Sequence, residues 1–236
     1  MLVITMETGS LPGGRTRWAG RRHDDDRPDA SSGTSSAELF DAVFHALHDG
    51  EQVALGFDCA LTMAVPPDSG RASAPADADA LVMLAEPAAS RPGLAELGHL
   101  LGELGAWRPW TTVSTSLARW KANTSILVWQ AVPAPGADAV TAGAAADSFF
   151  RQLPAASARG TEPAAGTEPA AGTEPAAGTE PAAGTEPAAG TEPAAGTEPA
   201  AGTVVNLAAA AARRAGLFVD PAELAQPTVS IRVTGR

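Results

Sequence analysis

Seven consecutive copies of Gly-Thr-Glu-Pro-Ala-Ala fill residues 160–201 and withhold 42 of the chain's 236 residues from any packed core. Each copy carries a Pro, which lacks a backbone donor and fixes φ, and a Gly, which has the most backbone entropy to lose on ordering. A helix cannot run through that spacing. A hexapeptide β-helix has the right period, but it stacks a large apolar residue once per turn, and these copies offer only Ala. Ordering the segment would bury almost nothing, so the sequence predicts a disordered insertion. Closure entropy rises slowly with loop length, so a surface loop can carry it. Deleting residues 160–201 is expected to leave the fold and the melting temperature nearly unchanged.

Residues 1–159 and 202–236 then supply one α/β domain of a size that can bury a proper core. The chain's net charge is −11, but the repeat contributes seven Glu and no basic residue. Outside it, 16 basic residues face 20 acidic ones, a net −4. That balance gives no basic footprint for nucleic acid, which stays a partner only through local chemistry. Cys59 is the one cysteine, so no intramolecular disulfide can form, which fits a reducing compartment. No apolar run approaches the roughly 20 residues that span a bilayer. The opening MLVITMETG has no basic n-region, so a signal peptide is not expected. The expectation is a cytoplasmic protein with no membrane partner.

Outside the repeat, strand and helix patterns alternate, which predicts an α/β architecture. LVITMET reads as a first strand and RTRWAGRR as its hairpin partner. HDDDRPDASSGTSS reads as a polar loop. Ser35 and Glu38 form a capping box ahead of the stripe Leu39, Phe40, Val43 and Leu47, and Gly50 stops that helix. VALGF is a continuous apolar run, as in a strand buried on both faces. Residues 66–80 read as loop. Leu94, Leu97, Leu100, Leu101 and Leu104 share one helix face, ended by Gly105. WRPWTTVSTS and SILVWQAV read as strands, ADAVTAGAAADSFFRQL and VVNLAAAAARRAG as helices. Asp220, Pro221 and Glu223 give the N-cap, N1 and N3 of a short turn, and TVSIRV closes as a strand.

The chain has no Walker loop, GxGxxG, GxSxG, HExxH or paired CxxC. Cys59 follows a buried strand and reads as a core thiol. His45 and His48 stand at i, i+3, but with Glu38 and Asp41 they fall opposite the apolar stripe, as on a solvated face. His99 sits between Glu96 and Glu103 on a polar face, and His23 lies in a loop. The clusters Arg15–Arg22 and Arg213–Arg214 read as surface charge, and the tryptophans 107, 110, 120 and 129 as core rather than base-stacking platforms. One pattern points to chemistry. Glu7 ends the first strand, Asp58 ends VALGF, and Asp138 precedes a helix. If the strands are parallel neighbours, carboxylates at their carboxyl ends occupy the usual position of an α/β active site. There they would hold Mg²⁺ or Mn²⁺ and activate water for phosphoryl transfer.

VALGFDCAL, RPW, ILVWQAV and NLAAAAARRAGL resemble an uncharacterised bacterial family with an RNase-H-like fold, labelled as nucleases. The resemblance implies a mixed sheet flanked by helices, with acidic residues at strand ends and at a helix. It puts Glu7 at the first-strand acid, Asp58 at the second and Asp138 at the helix acid, together as metal ligands and catalytic residues of a divalent-metal-dependent nuclease or phosphodiesterase. The chain departs from the family pattern at Gln130, where the pattern has Glu, at Ala60, where it has Pro, and at Glu7, where RNase-H-like nucleases have Asp. Gln is a neutral oxygen ligand and cannot act as a base. The alternative expectation is therefore a catalytically decayed relative that acts as a binding or scaffold protein.

Overall fold

In the computed structural model, residues 1–8, 17–22, 30–65, 77–135, 140–158 and 204–234 are described; Asp138, His23 and the repeat lie outside them. The first strand β1 (Leu2–Glu7) alternates its side chains between two apolar layers. Leu2, Ile4 and Met6 enter one core and Val3 the other, so the strand is covered on both faces. β2 (Arg17–Arg22) pairs antiparallel with β1, as the hairpin reading expects, and β3 (Ala30–Gly33) pairs antiparallel with β2. The segment containing β3 reads as a loop in the sequence. Its ASSG has no apolar pattern, and the strand forms by backbone pairing to β2.

α1 (Ser36–His48) starts at Ser35, whose hydroxyl accepts from the N–H of Ala37. It ends at Gly50, which adopts φ 76°, a left-handed conformation that suits Gly after a helix. β4 (Val53–Phe57) then pairs parallel with β1, and β7 (Ile126–Pro133) pairs parallel with β4. The short β6 (Val113–Ser114) and β9 (Ser230–Val233) both pair parallel with β7, giving the order β3-β2-β1-β4-β7-β6 with β9 also on β7. The result is a mixed α/β sheet flanked by helices.

One face of the sheet packs against α1, α2 (Ala78–Ala85), α3 (Pro92–Trp107) and α6 (Leu207–Arg214). The other packs against α5 (Ala142–Ala158) and α4 (Leu117–Asn123) through Phe149, Trp120 and Trp129. The Trp129 ring lies across Gly56 of the neighbouring strand, where a Cβ would come within 2.5 Å of Cε2. Only Gly leaves room for the indole. α3 continues past Gly105 to Trp107, so that glycine does not end it. Residues 78–80 belong to α2, whose N-cap is Asp77, rather than to a loop.

After the repeat, β8 (Val204–Asn206) pairs antiparallel with β5 (Thr62–Ala64), although the sequence pattern merges it with the helix that follows. Segments on both sides of the repeat therefore share sheets. Asn206 starts α6 by accepting from the N–H of Ala209. Glu223, buried in a short 3-10 turn, accepts from the hydroxyls of Ser114 and Thr115, both at 2.7 Å, and from the N–H of Thr115. It therefore braces a distant loop rather than its own helical turn. Among the described residues, no helix is long and apolar enough to cross a membrane.

Candidate functional site

β1 and β4 run parallel as neighbours, with Met6 opposite Phe57 at the last paired position. The N–H of Asp58 donates to the carbonyl of Met6 at 3.3 Å, so Glu7 and Asp58 follow side by side at the carboxyl ends of adjacent strands. Ligands of open α/β sheets bind outside the carboxyl ends of their strands.

Each carboxylate is held from a different direction. Glu7 is 7% exposed. Its Oε1 accepts from the N–H of Ala142, the first residue of α5, at 2.7 Å. Its Oε2 lies 4.0 Å from the guanidinium of Arg17, its cross-strand partner on β2. A negative charge there complements the positive end of the α5 dipole. Asp58 Oδ1 accepts from the N–H and the hydroxyl of Thr8, which ties the end of β4 to the residue after β1.

The first turn of α3 closes over this rim. A Cβ on Gly93 would stand 2.6 Å from Cys59 Sγ and 2.9 Å from Thr8 Oγ1, so the helix reaches the rim through a glycine. Burial first, and then the charge of Asp58, push the Cys59 thiol up to about 11. Cys59 is a protonated, half-buried thiol at neutral pH and a poor nucleophile.

Glu7 and Asp58 thus stand at the ends of neighbouring strands. Asp138 lies outside the described residues, four positions before the start of α5. Among the described residues, no group of three or more His, Cys, Asp and Glu side chains is arranged to hold a metal ion. His45 and His48 are both exposed on α1 beside Phe44, as expected of a solvated helix face.

Gln130 sits on the face opposite Glu7. Its Oε1 accepts from the N–H of Leu61 at 3.2 Å, and Leu61 belongs to the core beneath α3 and α6. The side chain therefore pins the loop that follows Asp58. A carboxylate there could accept the same hydrogen bond. The sequence reading missed Thr8, Gly93 and the Ala142 N–H. Only Gly93, beside the Pro92 that opens a helix, carries a local signal.

A cleft of about 910 Å³ opens between α1 and α3 beside Met6, on the side of β1 away from Glu7. Asp41, Glu96 and Glu103 line it with His99, and no Lys or Arg is among its described lining residues. Such a wall repels a polyanion. No family model, curated protein or solved structure matches the chain.

Proposed function

We propose that this chain is a divalent-metal-dependent nuclease or phosphodiesterase of RNase-H-like fold, with Glu7, Asp58 and Asp138 as the metal-holding carboxylates. The observation that carries the reading is the hydrogen bond from the Asp58 N–H to the Met6 carbonyl, which makes Glu7 and Asp58 neighbouring residues at the carboxyl ends of parallel strands. A mixed sheet with an antiparallel β1–β2–β3 edge, parallel β4 and β7, and helices on both faces supports the fold assignment.

The donor chemistry fits Mg²⁺ or Mn²⁺. Both cations prefer carboxylate oxygens, and Mg²⁺ is commonly held by one or two carboxylates together with substrate phosphates. When bound, such an ion supplies charge neutralisation at a phosphoryl group and a water acidic enough to attack it. The chain's own residues do the positioning. Thr8 fixes Asp58 through Oδ1, while Oδ2 accepts no hydrogen bond from the described residues. The N-terminus of α5 fixes Glu7 through Oε1, and Arg17 balances its charge.

The contacts of Glu7 and Asp58 also favour a second reading. Each already accepts a backbone N–H, which is a sufficient structural role for a non-catalytic binding or scaffold protein. The test is Mg²⁺- and Mn²⁺-dependent cleavage of RNA, DNA and hybrid substrates by the native protein and by Asp58→Asn. Cleavage that vanishes in the variant supports the catalytic reading. No cleavage by the native protein overturns it in favour of the second.

A further inference from the structure

Two polar side chains are buried in the layer between the sheet and α5 without a protein partner. Thr5 and Trp129 are both 0% exposed. Neither the Thr5 hydroxyl nor the Trp129 indole N–H has a hydrogen-bonding partner among the described residues. Buried hydroxyl and indole groups ordinarily have one. The sheet register brings the two to one place. Thr5 pairs with Gly56 across β1 and β4, and Gly56 pairs with Trp129 across β4 and β7. All three face α5, since Trp129 enters that layer, as do Val3 and Ala54, each two residues before Thr5 and Gly56. The Trp129 ring reaches across Gly56 towards β1. Its Cε2 would stand 2.5 Å from a Cβ on Gly56, and Nε1 is bonded to Cε2. Thr5 is the next residue across, one strand spacing of about 4.8 Å away.

The neighbours of this row offer no side-chain hydrogen bond. Ala19 of β2 pairs with Thr5, and the fully buried Ala145 and Ala146 of α5 belong to the same layer. The backbones of β1 and β4 are paired on both sides. The chemistry of the two groups selects their common partner. An indole N–H only donates, so that partner must accept, while a hydroxyl donates or accepts. Ala19, Thr5, Gly56 and Trp129 carry no charge, and the next residue of β1 on this face is Glu7, whose carboxylate repels an anion. A neutral partner is therefore required, and water is the smallest with this chemistry. We propose that one internal water bridges Thr5 Oγ1 and Trp129 Nε1, accepting from the indole N–H and donating to the Thr5 oxygen. It occupies the layer one same-face residue below Glu7, and it does not depend on Glu7 holding a metal. The water makes a Thr and a Trp, 124 positions apart in sequence, one hydrogen-bonded unit across β4.

Two measurements test it. A crystal structure of the full chain, at a resolution that shows ordered water, is expected to have density at about 2.7–3.2 Å from both Thr5 Oγ1 and Trp129 Nε1. No density there overturns the proposal, as does density bonded to one group alone, or a direct hydrogen bond between the two side chains. Urea denaturation of Thr5→Val needs no crystal. Val has nearly the shape of Thr without the hydroxyl. If the hydroxyl has no partner, its removal relieves a buried polar group and leaves the protein as stable or more so. If it holds the water, its removal takes one partner from the water and raises the unfolding equilibrium constant about fivefold, the worth of one hydrogen bond. The second result is expected. A midpoint unchanged or higher in Thr5→Val overturns the proposal.

Discussion

Oδ1 of Asp58 accepts both the backbone N–H of Thr8, at 2.8 Å, and the Thr8 hydroxyl, at 2.5 Å. One carboxylate oxygen thus fastens the ends of two parallel strands, and its companion accepts no hydrogen bond from the described residues. Asp58→Asn keeps an acceptor at Oδ1 and should cost about 1 kcal/mol, whereas Asp58→Ala strands two donors and should cost about 2–3 kcal/mol. Urea denaturation of the two variants measures the difference. If the site is catalytic, metal-dependent cleavage in Asp58→Asn should fall by more than the roughly 10–100-fold typical of an outer-shell loss. A variant as stable as expected and fully active would remove Asp58 from the reaction.

Gly56 and Trp129 form a size-matched pair across β4 and β7. Gly56→Ala inserts a methyl group into a rigid indole and should destabilise the protein by about 1–3 kcal/mol. Shrinking the partner in Gly56→Ala/Trp129→Leu should recover part of that loss, so that the two substitutions are less than additive. Denaturation midpoints of the four proteins in the cycle give the coupling, and strict additivity would separate the pair.

Cys59 titrates late because its thiol is buried and sits beside the charge of Asp58. Thiol alkylation at pH 8 should therefore be slow, with the rate rising towards pH 11. Asp58→Asn removes a charge that opposes the thiolate, so it should speed alkylation at any fixed pH in this range. The folded state favours the protonated thiol. Its contribution to stability is thus fully present below the ordinary thiol value of 9.0 and is lost as pH climbs from there through about 11. Denaturation midpoints at pH 8 and above, compared with Cys59→Ser, isolate that loss.

Glu223 is 1% exposed and accepts three hydrogen bonds from Ser114 and Thr115, with the Arg119 guanidinium 3.8 Å away. Glu223→Ala leaves the buried donors of Ser114 and Thr115 without their acceptor, while Arg119 keeps Asp220, and should cost about 3 kcal/mol. Glu223→Gln keeps one oxygen and should cost about half as much. Chemical denaturation of the two variants measures the difference.

The elements with their own apolar period were legible. LVITME, VALGF and ILVWQAV become the three central strands, and the leucine stripe becomes α3. Elements defined by their partners were not. β3 is four small or polar residues held by β2, and β8 is a strand because β5 lies beside it. α2 was hidden because its helix begins directly after residues that read as loop. At the site, the chain shows three carboxylates at element ends, and the adjacency of Glu7 and Asp58 follows once β1 and β4 pair in parallel. The hydrogen bond from Ala142 to Glu7 spans 135 residues and has no local trace. Gln130 could be sorted by alternation, since Trp129 and Ala131 enter the α5 core and Gln130 must turn away from it.

Because β8, α6 and β9 follow the repeat yet complete both sheets, the fold is a clasp whose last part leaves the ribosome after the repeat. A nascent chain that stalls within residues 160–201 has made β7 but not the strand that covers its second half. Such a chain presents an open edge and lacks the alanine-rich layer of α6.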